Sequence, residues 1–272
     1  MSTVLELADQ LMTAEASKKA IAPIADQIKA IAGKEDPLKV AYEIQQLNLQ
    51  RRSKAGARIV GKKIGLTSLA VQQQIGVDQP DYGSIFAETA YGTHEIIDGS
   101  QWIQAKAEAE IAFVLSKDLD KEQHTLADII SSTEYALAAF EIVDSRIADW
   151  KISLLDTVAD NASYASFVLG SRPVPLSQLD LTRCGMYIER QGQEVSVGAG
   201  VNCLGNPLNA AVWLANRMVA MGTPLKAGDI LLSGALGPMV TLGRQESLTA
   251  HIEGLGSVSL IIESRILCLI KK

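Results

Sequence analysis

The chain has 272 residues, 47% hydrophobic and 21% charged, a globular composition that excludes disorder and collagen-like repeats and suits one large domain with a small appendage. The formal net charge is −6, and no basic block interrupts it, which argues against nucleic acid as a partner. No uncharged apolar run is long enough to cross a bilayer, and no basic region precedes an apolar stretch at the N-terminus, so neither a membrane span nor a signal peptide is expected.

In chain order, Leu5, Ala8, Leu11 and Met12 recur at helical spacing behind Ser2 or Thr3, either of which suits an N-cap. A second helix is better marked. Asp36 can cap it, Pro37 suits its first turn, Leu38, Ala41, Tyr42, Gln45 and Leu49 share a face, and Gly56 can end it. Residues 1–58 therefore read as a small helical N-terminal subdomain.

From 59 to 272 the texture changes to strand-like segments separated by Gly, Asn, Asp and Pro. Strands are expected at 58–64, 108–115, 139–143, 166–169, 185–189, 194–197, 229–232, 247–252 and 257–262, with a hairpin turn at 190–193. One helix interrupts them. Asn206 and Pro207 open it, Leu208, Ala211, Val212, Ala215, Met218 and Val219 form its stripe, and Gly222 closes it. Runs of strands with occasional helices predict an α+β fold with a mainly β domain.

The strand at 107–115 carries the most chemistry. Side chains alternate along a strand, so Glu108 and Glu110 share one face while Ala109, Ile111, Phe113 and Leu115 share the other. Two neighbouring carboxylates perturb each other unless a cation sits between them. Glu141, in the apolar run 138–143, offers a third carboxylate where an unpaired charge is costly. Three carboxylates without His or Cys favour Mg2+ or Mn2+ over zinc. Alternatively, Glu108 and Glu110 line a solvent-facing strand and Glu141 pairs locally.

Three further stretches are candidates. In 61–67 a lysine between glycines could hold a substrate carboxylate or offset an enolate, and Asp81 in 77–83 could shuttle protons; the bland alternative is a surface loop, and no phosphate-loop spacing is present. The polar stretch 156–163 either lines a pocket or forms an Asp/Asn turn. The stretch 231–238 is an apolar strand running into a Gly-rich turn, able to present backbone N–H groups to an anion or simply to connect tightly. His94, His124 and His251 read as surface-turn or strand-end residues without a role, and Trp102, Trp150 and Trp213 as packing residues. Cys184, Cys203 and Cys268 have neither metal-ligand nor disulfide spacing and read as buried thiols of a cytoplasmic protein. No nucleophile elbow occurs.

Segments 61–67, 71–74, 76–83, 107–113, 141–147, 156–163, 206–209 and 231–239, in this order, resemble the 2-keto-4-pentenoate hydratase family within the fumarylacetoacetate hydrolase superfamily. The resemblance runs from about residue 20 to the C-terminus. It implies a helical N-terminal region packed on a mixed β-roll, with Mg2+ or Mn2+ held by Glu108, Glu110 and Glu141. It implies Lys63 as the active-site lysine, Asp81 as the acidic residue and Ser163 as a pocket residue. The implied reaction adds water to 2-hydroxypenta-2,4-dienoate, giving 4-hydroxy-2-oxopentanoate in meta-cleavage aromatic catabolism. A homo-oligomer is also implied, and association with a related decarboxylase is conceivable. Lys62 falls where relatives vary, and Ala138-Ala139-Phe140 replaces the commoner Pro-Ala-Leu. The rival activities are 4-oxalocrotonate decarboxylation, whose branch tends to lack an aspartate at the position of Asp81, and acylpyruvate hydrolysis, which uses a histidine absent ahead of His94. A non-catalytic partner subunit is the non-enzyme alternative.

Overall fold

The computed structural model describes residues 2–75 and 77–263. Gly76, within one of the matching segments, and Cys268 lie outside the described residues.

Three helices precede the first strand. Helix α1 (Val4–Ser17) opens with a capping box in which Thr3 and Glu6 exchange side-chain-to-backbone hydrogen bonds, and it buries Leu7, Ala8, Leu11 and Ala14. Helix α2 is Ala25–Ala32. Helix α3 (Pro37–Lys54) starts where Asp36 accepts from the Leu38 amide at 2.9 Å. The apolar residues of these helices join the same core cluster as those of the sheets.

The remainder runs β1 (Ile59–Gly65), α4 (Leu69–Ile75), β2 (Asp81–Phe86), β3 (Ala90–Gly92), β4 (Ile96–Asp98), β5 (Lys106–Leu115), α5 (Leu126–Ser132), β6 (Thr133–Val143), α6 (Leu154–Ala159), β7 (Tyr164–Leu169), β8 (Gly185–Arg190), β9 (Gln193–Ala199), α7 (Pro207–Ala220), β10 (Ile230–Leu232), β11 (Val240–Thr241), β12 (Glu246–Ile252) and β13 (Gly256–Glu263). The larger sheet has the order β2-β1-β10-β5-β6-β7-β3, with β11 pairing beside β5; the smaller has the order β4-β13-β12-β8-β9. Both are mixed, since β1 and β10, β3 and β7, and β4 and β13 pair parallel while the others pair antiparallel. This is the expected α+β arrangement of helices on a mixed β-roll.

Every strand and helix expected from periodicity is present. Two of those it missed, β2 and α6, have clear physical reasons. Strand β2 shows no strand pattern in sequence because Gly83 and Ser84 break its alternation, and the surface-loop alternative for this stretch is corrected: all six of its residues are buried. A strand covered on both faces has no polar side to alternate with. Helix α6 is too short to show a stripe, but Ser153 and Asp156 form a capping box, with the Asp156 carboxylate accepting from the Ser153 amide at 2.9 Å. The same carboxylate accepts from the Ile24 and Ala25 amides, fixing the start of α2. His124 is buried rather than superficial, its Nε2 accepting from the Lys121 amide.

Candidate active site

The antiparallel register of β5 and β6 sets Glu108 directly opposite Glu141, with Glu110 two residues further along the same face. One carboxylate oxygen from each of the three lies within 4.8 Å of the others. Ala109, Ile111, Phe113 and Leu115 turn the other way, into the apolar core. The solvent-facing alternative is therefore corrected: Glu110 and Glu141 are fully buried and only Glu108 is partly exposed.

Gly234 donates its amide to Glu110 Oε2 at 2.8 Å. Thus the Gly-rich turn after β10 does bring a backbone N–H to an anion, and the anion is one of the protein's own carboxylates. Gly234 has φ +100°, and a Cβ there would meet Thr67 Oγ1 at 2.3 Å, so the turn requires glycine. Glu110 Oε1 and Glu141 Oε2 accept no hydrogen bond, and Glu141 Oε1 has only the Lys63 ammonium beside it, at 3.1 Å. Burial pushes the Glu141 carboxyl up to about 8, with Lys63 opposing and Glu108 adding to the rise. Burial, then Glu141 and Glu108, drive Glu110 well above the usual carboxylate range. Clustered, buried carboxylate oxygens without donors are costly unless a cation neutralises them. An all-oxygen donor set without histidine or cysteine fits a hard divalent ion.

Lys63 lies on β1 between β2 and β10, and is 2% exposed. Its Nζ is 3.1 Å from Glu141 Oε1 and donates to the Ala162 carbonyl at 2.9 Å. Burial would lower the ammonium, but Glu141, Asp81, Glu108 and Glu110 outweigh it and hold Lys63 protonated above the usual lysine range. Asp81 begins β2 opposite Gly65. A Cβ on Gly65 would sit 2.1 Å from Asp81 Oδ1, so this glycine lets the carboxyl lie against the neighbouring strand. Burial raises the Asp81 pKa, with Lys63 the main opposing influence. Ser163 is buried, its Oγ 3.4 Å from Thr157 Oγ1.

Lys63, Asp81, Glu108 and Ser163 line one inner cavity of about 80 Å³, together with Thr157, Trp150, Ile152 and Met239. It shares Gly65, Leu66, Glu108 and Met239 with an outer cavity of about 530 Å³ whose further walls include Ile64, Val71, Ala235 and Pro238. Lys63 and Asp81 thus line the smaller cavity, Ile64, Val71, Ala235 and Pro238 the larger, and Glu108 borders both. Trp150, read from sequence as packing only, is a wall of the inner cavity, held by its Nε1 donating to the Gln104 carbonyl at 2.9 Å. Sequence gave no signal for this, because Trp150 lies in an irregular segment.

The C-terminal-domain model of fumarylacetoacetate (FAA) hydrolase matches residues 62–262. A 2-keto-4-pentenoate hydratase of Burkholderia vietnamiensis (strain G4) is 56% identical over 257 residues, covering 94% of this chain and 96% of the relative. A second, from Paraburkholderia xenovorans (strain LB400), is 50% identical over 259 residues, covering 95% of this chain and 94% of the relative. Among solved structures, 4-oxalocrotonate decarboxylase from Pseudomonas putida G7, complexed with magnesium and adipate, superposes with a TM-score of 0.89 at 32% identity, covering 96% of this chain and 99% of that one. By the span of the family match and the extent of identity, this chain belongs to the 2-keto-4-pentenoate hydratase family of the fumarylacetoacetate hydrolase superfamily.

Proposed function

We propose that the protein adds water to 2-hydroxypenta-2,4-dienoate, the enol of 2-keto-4-pentenoate, to give 4-hydroxy-2-oxopentanoate, and that it does so with Mg2+ or Mn2+ held by Glu108, Glu110 and Glu141. The observation that carries this reading is a cluster of three carboxylates beside Lys63, next to a cavity lined by Lys63, Asp81 and Glu108, in a chain more than half identical to a named hydratase. The P. putida decarboxylase complexed with magnesium supports a divalent ion here as well.

When bound, the ion would act as a Lewis acid toward the carboxylate and C2 oxygen of the substrate. Lys63, charged and buried, offsets negative charge that develops along the dienolate. Asp81, its pKa raised by burial, is suited to exchange a proton. Ketonisation requires a proton at C5, hydration requires water at C4, and the last step returns a proton to C3. We assign Asp81 and Lys63 to these proton movements and to orienting the water. Ser163 and Thr157 give the inner wall hydroxyl groups that can hold a water or a substrate oxygen. Trp150 and Ile152 supply apolar walls beside them.

A homo-oligomer belongs to the same proposal, as does an association with a related decarboxylase, the latter supported by likeness to the decarboxylase fold. Among the described residues no helix is long and apolar enough to cross a membrane, in keeping with the proposed cytoplasmic location.

Freshly generated 2-hydroxypenta-2,4-dienoate should lose its absorbance with Mg2+ or Mn2+ present, and the product should be heavier by one water. Glu110→Gln should reduce kcat/KM by roughly 10³-fold or more. Carbon dioxide release from 2-oxohex-3-enedioate without dienoate hydration would make the protein a decarboxylase instead. No turnover of either compound would favour the partner-subunit role.

A further inference from the structure

The carbonyl that accepts from Lys63 belongs to Ala162, which has φ +53° and lies between Asn161 at +53° and Ser163 at +56°. Three successive non-glycine residues in the left-handed region form a strained turn. It persists only because its surroundings hold it. Asp160 precedes the three residues and Tyr164 follows them, and Arg146 binds both. Its amide donates to Asp160 Oδ2 at 3.0 Å, its Nε pairs with Asp160 Oδ1, and its Nη1 donates to the Tyr164 carbonyl at 3.0 Å and the Asp144 carbonyl at 2.6 Å. One guanidinium therefore ties the two ends of the turn together and ties both to the end of β6, which carries Glu141.

A second anchor docks the turn on β2. Asn161 accepts from the Ser84 amide at 2.8 Å and donates to the Ser84 carbonyl at 2.9 Å, so its side chain pairs like one residue of a strand. Arg146 is 5% exposed and does not line the cavity that holds Lys63; it borders a small separate cavity with Glu15 and Arg52.

We infer that Arg146 is a positioning residue: with Asn161 it locks the left-handed turn 161–163, so that the Ala162 carbonyl fixes the Lys63 ammonium beside the three carboxylates. Lysine at 146 would keep the charge opposite Asp160, but a point charge cannot span Asp160, Asp144 and Tyr164 together. The turn would then relax and Lys63 would lose its fixed acceptor, while the carboxylates stayed in place on β5 and β6.

The kinetic arm of the test rests on the hydratase reading; the labelling arm does not. In Arg146→Lys, kcat for the dienoate should fall about 10- to 100-fold, the scale of a misplacement near 1 Å, with KM and the Mn2+ dissociation constant within about two-fold of the wild-type values. Cyanate carbamylation of Lys63, located by peptide mass spectrometry on native protein with Lys62 as internal reference, should accelerate roughly ten-fold or more as the turn loosens. A folded variant with wild-type kcat, or with wild-type labelling of Lys63, would overturn the inference. So would a loss of Mn2+ affinity matching the loss of activity, since the residue would then act on the carboxylates. Should Arg146→Lys fail to fold, Asn161→Ala removes the other anchor and is judged by the same readings. A wild-type protein that does not turn over the dienoate sinks the hydratase reading and leaves the labelling result to decide this one.

Discussion

Lys62 and Lys63 are adjacent in sequence and opposite in chemistry. Strand alternation sends Lys63 toward the carboxylates and Lys62 to the other face of β1, where its Nζ donates to Ser84 Oγ at 2.7 Å. Among the described residues Lys62 forms no ion pair, and burial lowers its pKa to about 8, with Asp229 opposing. A base whose pKa is lower folded than unfolded loses protons on folding, so its contribution to stability is present above the unfolded value of about 10.5 and is lost as pH falls through about 8. At pH 7 the charged Lys62 therefore opposes folding. Lys62→Met keeps much of the side-chain volume and removes that charge. It should stabilise the protein by about 1–2 kcal/mol at pH 7, below the ~1.4 kcal/mol per pKa unit maximum because the Ser84 hydrogen bond is lost too. Urea midpoints of the two proteins should converge between pH 8 and 10.5. A variant less stable at pH 7 would show that the Ser84 contact, not desolvation, governs this position.

The β5–β6 pair is the element on which the proposed metal site depends, and it carries its own stability signature. Glu141, raised to about 8 by burial, would release its proton at lower pH in the unfolded chain. A carboxyl with a raised folded pKa contributes stability that is complete below the unfolded value and lost as pH climbs through the folded one. Metal-free protein should therefore lose thermal stability between pH 5 and 8. Saturating Mg2+ or Mn2+ should remove most of that slope and raise stability by about 2.7 kcal/mol at one hundred times the dissociation constant. Scanning calorimetry with chelator and with metal would measure both, and identical slopes would argue against ion binding at these carboxylates. The element was legible because Glu108 and Glu110 fall two apart in a strand whose alternate residues are apolar. Glu141 was legible because a carboxylate in an apolar run needs a partner. Their mutual register was not legible, since pairing Glu108 with Glu141 depends on a hairpin closed across 17 intervening residues, Ser116 to Ser132. The turn at 161–163 was hidden for another reason. Alanine and serine do not announce positive φ as glycine does, and the Arg146 contacts that hold them come from another part of the chain.

At the scale of the whole molecule, α4, the turn after β10 and the end of β1 build a larger cavity walled mainly by apolar side chains, beside a small one, its base, where Lys63 and Asp81 sit. This polarity gradient bears on which dienoate the protein takes. The carboxylate and C2 oxygen of any such substrate would be drawn to the base, leaving its far end among Ile64, Leu66, Val71, Pro238 and Met239. A hydrogen or short alkyl group there gains from leaving water. A second carboxylate would be desolvated there with no lysine or arginine among the lining residues to pair with it. Hydration substrates ending in carbon should therefore be preferred over dicarboxylates, and one side chain should shift that preference. Met239 borders both cavities and is 44% exposed, so a longer cationic side chain there can reach the substrate's far end without entering the core. In Met239→Arg the ratio of kcat/KM for 2-hydroxypenta-2,4-dienoate to that for its 5-carboxy analogue should fall by roughly ten-fold or more, the scale of one desolvated charge pair gained. The change should appear in KM for the dicarboxylate, because the new contact is remote from the reacting carbons and equal in ground and transition states. An unchanged ratio in a folded, active variant would mean that the far end of the substrate does not reach the larger cavity, and that discrimination between mono- and dicarboxylates is made at the base.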